Sequence, residues 1–317
     1  MKASSLPCRR MDQLLALRVF ARIAESGSFS KAADAMDVPR ATATKLVQEL
    51  ERQLGVRLLQ RTTRRVSLSP EGAAYYERAS RLISELDDMN DSAAGTSAQP
   101  RGRLRVDIGS SLANRLLIPA LADFQAHYPH LRLDLGVSDR PIDLVGEGVD
   151  CVIRGGDLPD SSLVARRLAD LEWVTCAAPA YVGERGHPRH PTDLMAPLAD
   201  GGHAVVGYFS SLSGRHAPLE FEQADERFTV PTGTAVAVNE STAHLTALVA
   251  GLGVGQTFRC MAEPHLADGS LVELLAQWRR PHHRLSLVHP GSRQANVKIR
   301  AFSEWAAALF SHVDARR

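Results

Sequence analysis

The sequence predicts an N-terminal all-α winged helix-turn-helix, a long linker helix and a C-terminal α/β body. Three observations carry this reading. Three short helical patterns and a hairpin pattern fill the stretch up to Leu68. A 3–4-spaced apolar stripe then runs through residues 70–93. From Leu104 onward, short apolar runs alternate with helical ones, which is the βαβ rhythm of a parallel, doubly wound sheet. At 317 residues the chain exceeds one typical domain. The pattern divides it into a disordered extension over 1–10, a head over 11–69, a linker helix over 70–93, a hinge over 94–102 and a body over 103–312.

In chain order, Met11 to Glu25 places Leu14, Leu17, Val19, Phe20 and Ile23 near one side of a helix, which Ser26-Gly27 stops. Ser28 or Ser30 can cap a second helix through Met36, burying Phe29, Ala32, Ala33 and Met36. Pro39 suits the first turn of a third helix, which runs to Leu54 and ends at Gly55. Val56–Leu59 and Arg65–Leu68 flank a basic tip and read as a β-hairpin. Ser69-Pro70-Glu71 opens the linker helix, whose stripe of Ala79, Leu82, Ile83, Leu86 and Met89 requires a partner, expected to be a second copy of the chain. Beyond the small-residue hinge come strands at Leu104–Gly109, Leu131–Val137, Cys151–Arg154, Leu171–Ala177, Ala204–Tyr208 and Gly253–Gln256. Helices are expected at Leu112–His127, Pro141–Glu147, Thr242–Ala250 and Gln294–Phe310.

Charge is concentrated in the head. Residues 40–65 carry seven Lys or Arg against Glu49 and Glu51, a local charge of +5 in a chain of net +1, so the remainder carries −4. On a wheel of the third helix, Ala43, Val47, Leu50 and Leu54 face inward. Ala41, Thr44, Lys45, Gln48 and Arg52 gather on the opposite side, with Arg40 at the exposed N-terminal end. Arg, Lys, Gln and Thr suit base edges and phosphates, and a major groove is wide enough for a helix. With Ser28 and Ser30 from the second helix, and Arg61, Thr62, Arg64 and Arg65 from the wing, they form a candidate surface for double-stranded DNA.

Other chemistry finds little support. Cys8, Cys151, Cys176 and Cys260 have no CxxC or metal spacing and read as buried thiols in a reducing cytoplasm. No apolar run approaches the ~20 residues of a membrane span. MKASSLPCRR lacks the apolar core of a signal peptide. The glycines of Gly251-Leu252-Gly253-Val254-Gly255 follow a helix rather than a strand, so they read as a helix end entering a strand. His187, His190, His282, His283 and His289 are not paired with Cys or acid at ligand spacing. No nucleophile elbow or cofactor motif marks an enzyme, and no cofactor or metal is expected.

The sequence resembles the LysR-type transcriptional regulators. Phe29-Ser30-Lys31-Ala32-Ala33-Asp34-Ala35-Met36 matches that family's second helix, and Leu50 to Arg64 matches the end of its recognition helix and its wing. Pro39-Arg40 stands where the family commonly has Ser-Gln, and Arg40 favours guanine over adenine. The resemblance implies a cytoplasmic regulator that binds operator or promoter DNA as a homodimer or homotetramer. It also implies a two-lobed, periplasmic-binding-protein-like effector domain, with lobe I over about 103–168 and 266–312 and lobe II over about 169–265. Ligands of open α/β sheets sit beyond the carboxyl ends of strands. That rule brings together Ser110, Ser111, Ser138, Asp139, Arg154 and Gly155 with Tyr208, Asn239, Ser241 and Gln256 as the candidate small-molecule site. Arg154 would complement a carboxylate, which favours an organic-acid effector, while Asp139 calls for a hydroxyl or amine. A secreted solute-binding protein would account for the body alone, and an α/β enzyme for the sheet alone.

Overall fold

The structure, a computed structural model, describes residues 12–61, 66–93, 100–144, 146–156, 163–232, 236–291 and 296–314. The expected 1–10 extension and most of the 94–102 hinge lie outside them. The chain divides into two compact units, residues 1–98 and 99–317.

The first unit is built on α1 (Gln13–Ser26), α2 (Phe29–Ala35) and α3 (Arg40–Leu54). The Asp12 carboxylate caps α1 by accepting from the Leu15 N–H, and Gly27 ends the helix in the left-handed conformation at φ 63°. Ser28 caps α2 by accepting from the Lys31 N–H. The apolar faces meet in a core of Val19, Phe20, Ile23, Phe29, Ala32, Val47 and Leu50. The wing strands β1 (Leu59–Arg61) and β2 (Val66–Leu68) pair antiparallel, Leu59 opposite Leu68. The wing strand starts later than its apolar residues suggest. Val56 is exposed, and a single Glu51 oxygen of α3 accepts from the amides of Leu58 (2.8 Å) and Leu59 (3.0 Å). Leu54, expected inside, is 39% exposed.

Helix α4 (Pro70–Ala93) is tied to this head at its start. The Ser69 hydroxyl accepts from the Gly72 N–H at 2.8 Å and donates to the Arg57 carbonyl at 2.6 Å. Tyr75 and Tyr76 pack their rings on Phe20 at 5.8 and 6.4 Å. Farther along, Asp87 forms a two-pronged ion pair with Arg18 of α1. Gly72 lies so close to the wing that a Cβ there would stand 1.9 Å from the Leu58 carbonyl oxygen.

The second unit begins with β3 (Gly102–Ile108) and α5 (Ser110–Leu112), which continues through a π turn (Ala113–Leu117) into α6 (Ile118–His127). Next come β4 (Leu131–Val137), β5 (Cys151–Gly155), β6 (Leu163–Leu171), β7 (Trp173–Ala177) and α7 (Pro179–Arg185). There follow β8 (Val206–Phe209), β9 (His216–Ala217), the hairpin β10 (Leu219–Gln223) and β11 (Glu226–Val230), β12 (Val236–Val238) and α8 (Ser241–Val249). The unit closes with β13 (Gly255–Phe258), α9 (Arg259–Ala267), β14 (Val272–Glu273), β15 (His283–Pro290) and α10 (Val297–Phe310).

Lobe I is one sheet in the order β4-β3-β5-β15-β6. The sheet is mixed rather than wholly parallel: β4, β3 and β5 run parallel, whereas β15 is antiparallel to β5 and β6. Its core joins Leu104, Ile108, Ile153, Leu285 and Leu287 to Phe124, Phe302 and Phe310 of the flanking helices. Lobe II holds β13-β7-β14 and β12-β8-β9, linked by a bridge between Val205 and Val254.

The lobe boundaries expected from sequence shift. β6 stays in lobe I to Leu171, which pairs with His283, so the first crossing is at Glu172 rather than after 168. The return crossing falls between Arg279 and His283 rather than at 265. β14 pairs with β7 and Arg279 exchanges backbone bonds with Glu222, which keeps that stretch in lobe II. The described residues of 141–147 form turns in place of the expected helix. The Asp143 side chain accepts from the Gly146 N–H, and Gly148 turns left-handed at φ 65°. Helices α7 and α9 and the β10–β11 hairpin have no counterpart in the sequence reading.

Replacing Gly72 by Ala should destabilise the head by about 1–3 kcal/mol, since the Leu58 backbone must move. Hydrogen exchange on the full chain will show this as faster exchange of the α1 and α3 core amides, with the second unit unchanged.

Candidate functional site

The first candidate surface is the outer face of α3. Arg40, Ala41, Lys45, Gln48 and Arg52 are exposed and Thr44 is half-buried, while Ala43, Val47 and Leu50 on the opposite face are 0% exposed. Arg52 is paired with Glu49, an exposed link that costs little to break. Ser28 and Ser30 are half-buried at the start of α2. Thr62, Arg64 and Arg65, and the side chain of Arg61, lie outside the described residues.

The apolar stripe of α4 divides between two tasks. Ala79 is 2% exposed in the head's own core and so is not open to a second chain, and the half-buried Ile83 packs against that core. Leu82 and Met89 stand 59% and 65% exposed, with Leu86 half-buried between them.

The second candidate is a cavity of about 330 Å³ between the two lobes of the second unit. Of the residues expected there, Ser111, Asp139, Arg154, Gly155, Tyr208, Ser241 and Gln256 line its wall. Three do not. Ser110 is buried behind the wall, the Ser138 amide is bonded to the Ile108 carbonyl, and Asn239 is exposed.

Where Ser110 and Ser241 begin their helices, the lobes are joined by carboxylates. Asp139, just past β4 of lobe I, accepts from the Ser110 N–H at 2.7 Å. Across the cleft it accepts from the Ser241 N–H, which opens α8 of lobe II, and from the Tyr208 hydroxyl at 3.4 Å. Glu240 of lobe II caps α8 through the amides of Thr242 (2.9 Å) and Ala243 (2.7 Å), and the Ser110 side chain of lobe I bonds to it. Burial pushes Glu240 up, but these hydrogen bonds hold it below the usual carboxylate range. The Ser111 N–H donates to the Ser241 hydroxyl at 3.0 Å. Burial, reinforced by Asp139, raises the Tyr208 phenol well above its ordinary value.

The groups that could receive an acid here already have partners inside the protein. The Ser110 and Ser111 amides are already taken, and Arg154 is paired with Asp107 while donating to the Arg140 carbonyl at 3.1 Å. Burial raises the Asp107 carboxyl against the pull of Arg154. The Arg154 Nη1 atom is buried without a hydrogen-bond partner among the described residues.

The remaining wall is aromatic, and the sequence reading did not include it. Trp173 and Phe258 rings lie 4.3 Å apart, and His283 contacts both at 5.6 and 5.3 Å. Arg280 lies 4.0 Å over the Trp173 ring, ion-paired to Glu220 at 3.3 Å and donating to Gln256 at 3.3 Å. Burial lowers its pKa from the usual arginine value. In the sequence His283 has no Cys or acid at ligand spacing and carries no motif. The signal available was position, because Trp173, Arg280 and His283 flank the two crossings. Gly155 is required by the same cluster, since a Cβ would meet His283 Nε2 at 2.0 Å. Burial lowers the pKa of His244, also on the wall, from its ordinary value, and its ring lies 3.2 Å from the Val206 carbonyl.

Burial pushes the thiols of Cys176 and Cys260 up to about 12 and about 11, and Cys151 is raised further. At those values few thiolates form at neutral pH. Among the described residues there is no cluster that could hold a metal ion, and no helix is long and apolar enough to cross a membrane.

A winged helix-turn-helix and a two-lobed domain with a cavity between its lobes define a ligand-responsive DNA-binding regulator. The comparisons agree. Residues 14–73 match the model for the bacterial regulatory helix-turn-helix proteins of the lysR family, and residues 97–311 match the LysR substrate binding domain. The chain belongs to the LysR-type transcriptional regulators. It is 40% identical over 301 residues to an uncharacterised HTH-type transcriptional regulator, YhjC, of Escherichia coli K12, covering 94% of this chain and 98% of the relative. It is 36% identical to an HTH-type transcriptional repressor of Pseudomonas aeruginosa, covering 95% and 93%. Among solved structures, CrgA of Neisseria meningitidis superposes with a TM-score of 0.59 at 29% identity, covering 93% and 98%. The protein is a DNA-binding transcriptional regulator with an effector-binding domain, and not an enzyme.

Removing Arg154 would leave Asp107 buried without its cation. Arg154→Ala should therefore destabilise the second unit by about 3–5 kcal/mol, and Asp107→Asn added to it should restore part of the loss. Denaturant unfolding followed by tryptophan fluorescence reports this unit alone, because Trp173, Trp278 and Trp305 all lie in it. Equal stability of Arg154→Ala and wild type would show the pair to be dispensable.

Proposed function

We propose that the outer face of α3 reads base edges in the major groove, that the inter-lobe cavity holds the effector, and that α4 pairs two chains. The observation that carries the DNA reading is the division of α3 into a fully buried apolar face and an exposed face of Arg40, Lys45, Gln48 and Arg52. A duplex carries dense negative charge, so such a face gains affinity by releasing counterions. Arg40 at the helix start suits guanine, and Gln48 one side of adenine. Operator DNA places the working protein in the cytoplasm. Arg40→Ala or Gln48→Ala should each cost about 1–3 kcal/mol and relax preference at one base pair of the half-site. Selection from randomised duplexes measures this, and an unchanged consensus for both variants would remove α3 from direct readout.

An effector changes operator binding only if it binds two states of the protein unequally, and linkage makes that coupling reciprocal. The cavity supports this role because both lobes and residues beside both crossings form its wall. The pairing surface is the exposed Leu82 and Met89 edge of α4, with Leu86 beside it. A homodimer built on this edge is the unit from which a homotetramer would form. Leu82→Glu combined with Met89→Glu should give a chain that sediments as a monomer and loses most operator affinity. A wild-type assembly size in that variant would place the interface elsewhere.

A further inference from the structure

We propose that the cavity selects a neutral effector, a flat, largely apolar molecule bearing both a hydrogen-bond donor and an acceptor, and rejects carboxylates. This rests on reading the cavity as the effector site. An anion entering between the lobes would seek the amides that begin α8 and the run after β3, together with a free cation. Asp139 holds that place as a resident carboxylate, accepting from the Ser110 and Ser241 amides and from Tyr208. Both arginines of the wall carry their own counter-charge, Arg154 in Asp107 and Arg280 in Glu220. The formal charge left over in the wall is that of Asp139, which is negative.

The polar end nevertheless asks for more than a donor. Arg154 lines the cavity and keeps Nη1 shielded and unpartnered among the described residues, so a small shift of the guanidinium toward a bound molecule gains it an oxygen. A carboxylate oxygen can accept more than one hydrogen bond, and Asp139 faces the cavity, so a ligand N–H or O–H can add to its partners. An amide or hydroxyl meets both demands with one group. A carboxylate meets only the arginine and confronts Asp139 with a like charge. The rest of the wall, with Trp173, Phe258 and His283, suits a flat ring. A cavity of about 330 Å³ admits one ring with a short substituent.

The isosteric pair benzamide and benzoate isolates the head-group charge. Ligand-observed NMR titrations of the full-length protein at pH 7.5 give a dissociation constant for each. In the wild type, benzamide should bind at least tenfold more tightly than benzoate. Asp139→Asn should reduce or invert that ratio by at least tenfold, and Asp139→Ser serves the same comparison if the amide variant does not fold. Wild-type protein that binds benzoate as tightly as benzamide, or a ratio untouched in the folded Asp139 variant, overturns the proposal while leaving the cavity as the effector site. Pro218→Trp, which fills the cavity from its wall, should abolish binding of both probes. Unchanged benzamide binding in that variant, or no binding to the wild type, overturns the cavity reading and the proposal with it.

Discussion

Asp139 stands where the starts of two helical segments from different lobes converge, and much of the effector domain is arranged around its carboxylate. A half-buried carboxylate draws the donors around it, here the Ser110 amide of its own lobe and the Ser241 amide and Tyr208 hydroxyl of the other. Glu240 makes the reverse connection, capping α8 in lobe II while bonding to Ser110 of lobe I. The two carboxylates therefore tie the lobes together by polar contacts at that end, beside the packing of Leu245 of α8 on the lobe I core. Such contacts are strong when complete and costly when half made, so a small change in the cleft has a disproportionate effect on the relation between lobes.

At the other end the cleft is closed by aromatic contact. Trp173 begins the first strand of lobe II after the chain enters it, and His283 begins the strand by which the chain returns. Their rings meet each other and Phe258, with Arg280 laid over Trp173. A molecule in the cavity touches both connections between the lobes at once. Because packed interiors shift between discrete arrangements instead of deforming smoothly, this is a physical route from occupancy to lobe geometry.

The head depends on a comparable economy of contacts. Glu51 spends its carboxylate on the two amides that start the wing, and Ser69 bonds both the wing's approach and the first turn of α4. Gly72 permits the close approach that these bonds require. Helix α3 is thereby fixed to the wing and to α4 by the polar groups of Glu51 and Ser69. Of these, Glu51 had entered the sequence reading only as a charge to be subtracted.

The sequence by itself determined the order of elements in the head, the register of buried and exposed residues along α3 as far as Leu50 and the start of α4. All of these follow from local periodicity, capping and turn chemistry. It also determined which strand ends approach the cavity, so Ser111, Asp139, Arg154 and Tyr208 were legible from the rule that ligands gather at the carboxyl ends of strands. Tertiary structure alone decided who partners whom. Ala79 looked identical in pattern to Leu82, yet only packing against the head buries one and leaves the other open. Arg154 looked like a free cation until Asp107, from the neighbouring strand β3, was placed beside it. Trp173 lies far in the chain from Arg280 and His283, and the three become one wall where the two crossings run side by side. Periodicity reports which face of an element is buried; it carries no information about which distant side chain neutralises a charge or fills a cleft.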